Sequence, residues 1–418
     1  MKQKPELLAP AGNFEKLRAA VLYGADAVYL AGGAFGMRAA AGNFTDEELP
    51  RAAAYAHERG VRVYLAVNTM PRTYEYPALE AYLNFVRGCG VDALIVGDLG
   101  VLSLARRVAP ELAVHVSTQA SAVSLADVLA WRALGARRVV LARELSIEEV
   151  RQICEGAPGD MEIESFIHGA MCVAYSGRCL LSNYFTGRDA NRGACAQPCR
   201  WNYRTLEICE EKRPDQPLSL YEDTAGTFVM SSRDMCMIEH IPEIVECGVH
   251  SFKIEGRMKS AYYTAVVTNA YRMALDAYLR DGAAYRFDPA LRRELESVSH
   301  REYSTGFWFG GPDADAGVCK NAGYIREKAY IATALSYDAK SGLALFVQRN
   351  KVRRGESVEL ISPGRTGRAF FAEELLDADG NPIESAPHPS MTFQMRVPFE
   401  VRAGDILRGG EEPCLFSS

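Results

Sequence analysis

The chain has 418 residues, 48% of them hydrophobic and 24% charged, which is typical of a globular protein with one large core and a smaller second domain. The formal net charge of −6 excludes a protein whose whole surface attracts polyanions, so a nucleic-acid contact would have to be local. No run of about 18 apolar residues predicts a transmembrane helix, and the N-terminus lacks the apolar core of a signal peptide. We therefore expect a cytoplasmic protein without a membrane partner.

Eight short apolar runs, each suited to a buried strand, recur along the first part of the chain. Most of them are followed by a turn and a helical pattern. This alternation predicts an α/β fold, a TIM-like (β/α)8 barrel over residues 1–320. A doubly wound open sheet is the alternative, and the count of eight favours the barrel. The predicted strands are 6–12, 27–32, 61–68, 93–98, 113–119, 138–145, 162–169 and 251–256.

Local signals mark where several of the helices begin. Asn13 follows the first predicted strand in the position of an N-cap. Thr45 with Glu48, and Ser146 with Glu149, have the spacing of a capping box, in which two side chains satisfy backbone N–H groups reciprocally. These residues predict helix starts after the first, second and sixth strands.

Polar side chains stand at the C-terminal ends of the predicted strands. In a parallel barrel these ends surround the mouth, where the active site of such a fold lies. About half of these residues are expected only to cap the helices that follow. The residues are Asn68, Asp98, Ser117, Gln119, Arg143, Glu144, His168, Glu255 and Arg257.

The connection between the seventh and eighth strands, residues 168–250, is longer than a simple loop and is expected to carry function or structure of its own. Within it we predict a hairpin from residues 203–209 and 226–232. A helix is predicted to follow from about residue 233 to residue 247. The same insertion contains a cluster of four cysteines.

The four cysteines are separated as C-x6-C, C-x15-C and C-x3-C. The eleven cysteines of the chain cannot all pair, and a reducing compartment argues against disulfides. Zinc sites favour C-x2-C pairs, which are missing here, whereas iron–sulfur clusters tolerate irregular spacing. Spacing alone leaves an iron–sulfur cluster, a zinc ion and unliganded thiols open. The four residues are Cys172, Cys179, Cys195 and Cys199.

From about residue 322 the pattern changes to alternation with period two, which predicts a small all-β barrel domain over residues 322–418. Between Lys320 and Arg368 there are ten Lys or Arg residues against four Asp or Glu residues. This local excess has two interpretations, a solvated basic face or a contact to an RNA backbone. The densest basic run contains Lys351, Arg353 and Arg354.

Several segments resemble peptidase family U32, historically called collagenase-like peptidases. They are "ELLAPAGNFEKLRAAVLYGADAVYLAG", "ESFIHGAMCVAYSGRCLLSNY", "RGACAQPCRW" and "SFKIEGRMKS". The resemblance extends over the whole chain, including "HREYSTGFWFG" and the terminal β domain. Within the family, the architecture is most similar to the prephenate-dependent tRNA uridine 5-hydroxylases.

This resemblance implies an RNA-modifying enzyme, with tRNA as its partner and prephenate as a co-substrate that donates oxygen. It also implies an iron–sulfur cluster, a 4Fe–4S cluster, on the cysteine-bearing insertion. Carried over by motif, the metal ligands are Cys172, Cys179, Cys195 and Cys199. Cys236 is a possible substitute, although its predicted place on a helix suits a buried structural cysteine better.

The implied reaction suggests roles for the remaining candidates. Prephenate carries two carboxylates, which arginine binds in bidentate fashion, and each candidate arginine has a surface ion pair as its alternative role. An unstacked RNA base is often held against aromatic rings, although core packing is the alternative for the aromatic candidates. The catalytic candidates are His168, Asn68 and Gln119. The substrate-binding candidates are Arg38, Arg143, Arg178 and Arg257 for the dicarboxylate, Lys351, Arg353 and Arg354 for RNA phosphates, and Tyr175, Tyr184, Phe185 and Trp201 for a base.

Two other classes of function stay open. A U32-type peptidase would need a recognisable catalytic set, and the sequence has neither H-E-x-x-H nor a clear Ser–His–acid arrangement. His168, four residues before Cys172, is the one pairing that suggests a cysteine peptidase. A noncatalytic RNA-binding protein would share the basic β domain, but it would need neither polar strand ends nor clustered cysteines.

Overall fold

The computed structural model of the chain describes residues 4–37, 42–172, 174–201, 221–223, 226–228, 232–310, 325 and 328–410. Three sequence-based expectations therefore lie outside the described residues. They are the role of Arg38, the first predicted hairpin strand at 203–209, and the domain boundary at 320–322.

Eight parallel strands form a closed barrel, which confirms the predicted fold class. Strands β1 to β7 pair in chain order, β11 pairs with β1, and pairing of β11 with β7 closes the ring. A tenth strand continues the sheet outside the barrel, antiparallel to β7. The strands are β1 (Glu6–Pro10), β2 (Ala27–Leu30), β3 (Arg62–Val67), β4 (Ala93–Val96), β5 (Ala113–Val116), β6 (Arg138–Val140), β7 (Glu162–Ala170), β8 (Tyr221–Asp223), β9 (Gly226–Phe228), β10 (Asp234–Cys236) and β11 (Ser251–Ile254).

The helices between the strands are α1 (Phe14–Leu22), α2 (Glu48–His57), α3 (Tyr76–Val86), α4 (Leu99–Val108), α5 (Leu125–Ala133), α6 (Ile147–Gly156), α7 (Leu181–Thr186), α8 (Ile241–Glu246), α9 (Ala261–Asp281) and α10 (Pro289–Glu296). Short 3-10 helices cover Thr73–Glu75, Thr118–Ala120, Ala190–Arg192, Pro198–Arg200, Ile238–His240 and Gly282–Ala284. No helix in the described part of the chain has the length and apolar character needed to cross a membrane.

The predicted helix starts are confirmed by their hydrogen bonds. The Asn13 Oδ1 accepts from the Lys16 N–H at 3.0 Å. The Thr45 N–H donates to the Glu48 carboxylate at 3.0 Å, and the Glu48 N–H donates to the Thr45 hydroxyl at 3.2 Å. Ser146 and Glu149 form the same reciprocal pair.

The predicted helix over residues 233–247 is wrong in its first half. Residues 234–236 form β10, which pairs with the last residues of β7, and α8 begins only at Ile241. β7 runs on past the barrel, so its backbone there needs partners. Pro242, in the first turn of α8, is the sequence signal for the later start. Cys236 therefore lies on a strand, opposite His168.

The second strand of the predicted hairpin is present in part. β9 lies within the predicted 226–232 segment and pairs antiparallel with β8. The partner strand among the described residues is β8. Residues 224 and 225, between the two strands in the chain, lie outside the described residues.

Four charged residues are buried inside the barrel and bonded to one another. Arg138 Nη1 donates to the Glu6 carboxylate at 2.7 Å and to the Glu164 carboxylate at 3.0 Å. Lys253 Nζ donates to Glu164 at 2.7 Å. None of the four is more than 5% exposed, so two acids and two bases neutralise one another where water is excluded. We call these residues the barrel ion network.

The network sets the protonation state of its members and neighbours. Burial by itself would raise the pKa of Glu164, but the charges of Lys253 and Arg138 outweigh it and hold that pKa below its ordinary value. Burial, reinforced by the charge of Arg138, lowers the pKa of His115 well below its usual range. His115 is therefore neutral, and its ring packs edge-on against Tyr64 at a centroid distance of 4.6 Å.

The chain divides into two compact units. The first comprises Met1–Leu17, Ala25–Lys259 and His300–Ile325, and the second comprises Arg18–Gly24, Ser260–Ser299 and Arg326–Ser418. The first unit also contains β12 (Tyr303–Ser304), which pairs with β10. The predicted domain boundary lies in the undescribed residues noted above and stays a prediction.

A separate C-terminal β domain is confirmed within the second unit. Its antiparallel sheet has the order β17-β16-β21-β13-β14-β20-β18, and β15 pairs with β19. Phe346 and Phe393 stack in its core at 5.5 Å. The later strands are β12 (Tyr303–Ser304), β13 (Tyr330–Asp338), β14 (Leu343–Gln348), β15 (Val352–Arg353), β16 (Ser357–Ile361), β17 (Arg368–Phe371), β18 (Leu375–Leu376), β19 (Ser385–Ala386), β20 (Thr392–Arg396) and β21 (Ile406–Gly409).

The barrel ion network can be tested by removing its central cation. Arg138→Met should lower the free energy of unfolding by about 3–5 kcal/mol, because it removes the cation that the two buried carboxylates share and leaves an uncompensated buried negative charge. Urea denaturation followed by circular dichroism measures this change. Arg132→Met is the matched control, since Arg132 forms an exposed ion pair with Asp160 that solvent screens. Equal losses for the two variants would contradict a structural role for the network.

Candidate active site

The segment Cys172–Trp201, which we call the cysteine loop, leaves β7 at the C-terminal end of the barrel. Its two halves are joined by hydrogen bonds of polar side chains. The hydroxyl of buried Ser182, in α7, accepts from the Ala196 N–H at 3.0 Å. Asn191 Nδ2 donates to the Cys179 carbonyl at 3.1 Å. These bonds bring the two sequence-distant cysteine pairs to the same part of the loop.

All four thiols of the loop are free, and they lie within reach of one another's charge. Burial raises the pKa of Cys179 and of Cys199, and in both cases negative charge on Cys172 or Cys195 would raise it further. The backbone N–H groups of Leu181 and Ser182 oppose this shift by hydrogen bonding to the Cys179 sulfur. The charges of Cys172 and Cys195 thus act on Cys179 and Cys199, so the four thiols belong to one region of the loop.

The arrangement of these thiols bears on which inorganic group they could hold. In the residues that the structure describes, no three His, Cys, Asp or Glu side chains are grouped to hold a single metal ion. A zinc ion needs all its sulfurs about 2.3 Å from one atom. An iron–sulfur cluster distributes its thiolates over several iron atoms, and N–H groups that hydrogen bond to a sulfur, as those of Leu181 and Ser182 do to Cys179, are typical of such a site. The four cysteines as ligands of a cluster stay a prediction.

The cysteine loop lies across the mouth of the barrel. The Glu144 carboxylate, after β6, accepts from the Ser176 N–H at 2.8 Å and from the Ser176 hydroxyl at 2.9 Å. The Ser121 hydroxyl, after β5, donates to the Ser176 carbonyl. Arg192 forms a bidentate ion pair with Glu75, after β3, at 2.7 and 2.9 Å. Three separate strand ends thus hold the loop in place.

A buried cation supports the start of the loop from a distant part of the sequence. Arg301 is 2% exposed and donates from Nε to the Asp234 carboxylate at 2.8 Å. Its Nη2 donates at 3.1 Å to the carbonyl of Met171, the residue before Cys172. Its charge also opposes the upward pKa shift of Cys199. Arg301 was not among the sequence-based candidates, although it lies in the "HREYSTGFWFG" segment.

The catalytic candidates fall at two places around the mouth. Asn68 Nδ2 donates to the Ser117 hydroxyl at 3.3 Å, and Asn68 Oδ1 accepts from the Met37 N–H at 3.2 Å. A Cβ atom at Gly97 would lie 3.3 Å from the Asn68 carbonyl and 3.4 Å from Gln119 Oε1, so Asn68 and Gln119 are near neighbours. His168 is buried on β7, with its ring 5.4 Å from that of Tyr303.

Gln119 has one feature that suits a ligand-binding group. Its Oε1 is buried and has no hydrogen-bond partner among the residues that the structure describes. A buried amide oxygen without a partner is costly, so a bound hydroxyl or N–H donor would stabilise it. By contrast, Asp98 caps α4 through the Val101 N–H, and Ser117 caps the following 3-10 helix. The capping role expected for some of the strand-end residues is confirmed for these two.

The candidates for binding the dicarboxylate and the RNA phosphates differ in how deeply they are buried. Arg257 is buried at 3% exposure, and its Nη2 would lie 4.0 Å from a Cβ at Gly36. Arg143 is half-buried, donates to the Ala170 carbonyl at 2.8 Å and lies 5.2 Å over the Phe166 ring. Arg178 is exposed on the cysteine loop. The candidates for RNA phosphates, Lys351, Arg353 and Arg354, are exposed in the β domain.

The close approach of the loop to the barrel mouth can be tested at Gly177. Its φ is +74°, and a Cβ there would lie 2.3 Å from the Gln119 carbonyl, so Gly177→Ala should lift the loop and expose Cys179 and Cys199. Thiol labelling followed by peptide mass spectrometry should show faster modification of both. Gly187→Ala is the control, because Gly187 has a similar φ of +69° and nothing within 4 Å of its Cβ position. Equal labelling rates in both variants would contradict the docked position.

Comparison with known proteins matches the whole chain to one family. The family described as peptidase family U32 matches residues 12–317, and its C-terminal domain matches residues 326–408. The tRNA hydroxylation protein P1 of Bacillus subtilis is 38% identical over 98% of this chain and 96% of its own. The tRNA hydroxylation protein P of Escherichia coli is 36% identical over 94% of each chain. A collagenase of Porphyromonas gingivalis is 33% identical over 96% of this chain and 97% of its own. The chain therefore belongs to peptidase family U32.

Proposed function

We propose that this protein is an iron–sulfur-dependent RNA hydroxylase. The coarse activity is supported by two relatives named as tRNA hydroxylation proteins that align over nearly the full chain. In its finer form, the proposal is that it adds a hydroxyl to carbon 5 of the wobble uridine of tRNA, with prephenate as the oxygen donor, in the cytoplasm. The observation that carries the proposal is a loop that bears four cysteines and is bonded to three strand ends across the mouth of a barrel.

The cluster would be held by the four thiols of the cysteine loop. Hydroxylation of a pyrimidine carbon lies beyond acid–base side chains, and a bound cluster supplies the redox or Lewis-acid chemistry that they lack. The protein residues would keep that group at the mouth, because Glu144 and Arg192 bond the loop to the strand ends and Arg301 bonds to the Met171 carbonyl just before it. Cys236 is 3% exposed on β10, a setting that suits a structural cysteine.

The dicarboxylate would bind inside the mouth, beneath the loop. The barrel ion network balances its own charge, so the positive charge at the mouth comes from other residues, Arg257 and Arg143. Guanidinium groups bind carboxylates strongly where water is excluded. The buried oxygen of Gln119 would accept a hydrogen bond from the hydroxyl of the donor. In this arrangement the arginines bind and orient the dicarboxylate, and the amide selects for its hydroxyl.

A peptidase is the second candidate, because a relative named as a collagenase is 33% identical over almost the whole chain. A cysteine peptidase requires a thiol whose pKa is lowered by its surroundings. Burial instead raises the pKa of Cys179 and Cys199, so their surroundings do not activate these two thiols as nucleophiles. The hydroxylase is favoured over the peptidase because the two relatives named as tRNA hydroxylation proteins are 38% and 36% identical to the chain, against 33% for the collagenase.

The cluster and the reaction can be tested together with one cysteine variant. Protein purified without oxygen should contain iron and sulfide and absorb in the visible range, and Cys179→Ala should lose both. Cys89→Ala is the control, since Cys89 is buried and bonds to the Phe85 carbonyl on another part of the barrel. Mass spectrometry of tRNA nucleosides should show 5-hydroxyuridine lost without the gene and restored by wild type and Cys89→Ala only. Peptide cleavage abolished by Cys172→Ala would replace this proposal with the peptidase.

Binding of the donor and binding of RNA should separate in two classes of variant. Arg257→Gln should abolish hydroxylation and leave tRNA affinity nearly unchanged, because it removes a contact inside the mouth. Lys351→Gln with Arg353→Gln should weaken tRNA binding and reduce the slope of log Kd against log salt by roughly one per phosphate contact. Filter binding at several salt concentrations measures tRNA affinity and its salt slope for both variants. Mass spectrometry of tRNA nucleosides measures hydroxylation. If Arg257→Gln weakens tRNA binding as much as the double variant does, the assignment of separate roles is wrong.

A further inference from the structure

Three aromatic side chains of the cysteine loop form a contiguous exposed surface. Tyr184 is 85% exposed, Phe185 46% and Trp201 39%. The Tyr184 and Phe185 rings meet edge to face at a centroid distance of 5.4 Å, and the Phe185 and Trp201 rings are 6.4 Å apart. We call these three residues the aromatic platform. The alternative expectation for these aromatics, core packing, is therefore wrong for the three.

Folding of the loop does not account for this exposure. α7 is fixed by its small polar residue, Ser182, which is fully buried and bonded to the Ala196 N–H. Trp201 is fixed by its indole N–H, which donates to the Ala196 carbonyl at 3.2 Å. The large rings thus face solvent while small groups anchor the backbone, the reverse of the pattern that apolar burial favours. Adjacent exposed rings of this kind mark an interaction surface.

The aromatic platform is close to the cysteines. The first N–H groups of α7, those of Leu181 and Ser182, hydrogen bond to the Cys179 sulfur. Phe185 is four residues after Leu181, which corresponds to about 6 Å along the helix axis. A group bound on the platform would therefore lie near Cys179, at the side of the loop that faces solvent.

Two cations accompany the platform. Arg178 precedes α7 and Arg188 follows it, and both are exposed. Among the described residues, neither guanidinium forms an ion pair. Exposed rings near arginines without ion pairs can bind a ligand in which flat aromatic groups alternate with negative charges. Single-stranded RNA has this composition, since its bases stack on aromatic rings and its phosphates attract arginine.

We propose that Tyr184, Phe185 and Trp201 stack the unpaired bases of a single-stranded RNA segment, while Arg178 and Arg188 contact its phosphates. This inference rests on the proposed function, in which RNA is the substrate, and it assigns the surface that receives it. It places RNA recognition on the same loop that carries the four thiols, so that a stacked segment delivers the neighbouring base to the barrel mouth.

The test measures binding of a fluorescently labelled RNA of seven nucleotides to the full chain by anisotropy. Tyr184→Ala and Phe185→Ala should each weaken binding by about 5- to 150-fold, as expected when one base loses its stacking ring. Tyr184→Phe should retain affinity because it keeps the ring. Phe85→Ala is the matched control, since Phe85 is also an exposed phenylalanine, 38% exposed on α3, and it should bind as wild type does.

Two further measurements distinguish stacking from simple charge attraction. An RNA of the same length without bases should bind wild type and Phe185→Ala equally weakly, because it offers no ring to stack. Arg178→Gln and Arg188→Gln should each reduce the slope of log Kd against log salt by about 0.7, the value for a single-strand phosphate contact. Trp201→Phe should remove the fluorescence change that RNA causes on stacking, with affinity preserved.

Several outcomes would overturn the inference. Wild-type affinity in Tyr184→Ala and Phe185→Ala, in a protein that still binds RNA, would reject the platform and leave the proposed function standing. A wild-type protein that binds neither RNA nor tRNA and restores no hydroxylated nucleoside would reject both. If sedimentation shows that wild type self-associates and Phe185→Ala is monomeric with RNA binding intact, the surface joins copies of the chain instead.

Discussion

The carboxylate of Glu164 is the constraint on which the arrangement of the site depends. It lies on β7 and bonds to Arg138 on β6 and to Lys253 on β11, the two strands that flank β7 in the closed barrel. A carboxylate that is 1% exposed is stable only when its charge is matched. The pairing therefore fixes β7 to both of its neighbours at the strand that closes the barrel. The position of β7 in turn determines where the chain leaves it.

β7 has nine residues and serves two structures in succession. Its first part completes the barrel, and its last part pairs with β10 outside it. Asp234 on β10 binds Arg301, which holds the Met171 carbonyl, so the entry to the cysteine loop is determined by charge pairing beneath it. The pairing of β7 with β10, the buried Asp234–Arg301 ion pair and the bond to the Met171 carbonyl thus connect the barrel to the start of the cysteine loop.

The cysteine loop is held mainly by polar contacts. Glu144, Glu75 and Ser121, each after a different strand, bond to it at separate points, while its large aromatic rings face outward. A segment with few buried apolar side chains gains little stability from packing. Its geometry therefore depends on these directional bonds and on the close fit of Gly177 against the Gln119 backbone. In this organisation Gly177 lies against the backbone at the barrel mouth, while the rings of Tyr184, Phe185 and Trp201 stay exposed.

Local patterns in the sequence were sufficient for the eight strands, the helix starts at Asn13, Thr45 and Ser146, the β domain and the family. These features depend on residues within a few positions of one another, where periodicity and capping are decisive. The strand β10 was not predicted, because its partner is the exposed end of β7 rather than a neighbour in the chain. Its sequence alone predicts the beginning of a helix.

The barrel ion network and the role of Arg301 were decided only by the tertiary structure. Arg138 and Glu6 are 132 residues apart in the sequence, and Arg301 and Met171 are 130 apart. The local sequence around a charged residue in an apolar run does not show whether the side chain will bind water or a distant carboxylate. Likewise, helical periodicity shows that α9 has a buried face, but not that it belongs to the second compact unit. Such pairings depend on which strands and helices meet in space. Because the partners are far apart in the chain, no local sequence pattern predicts them.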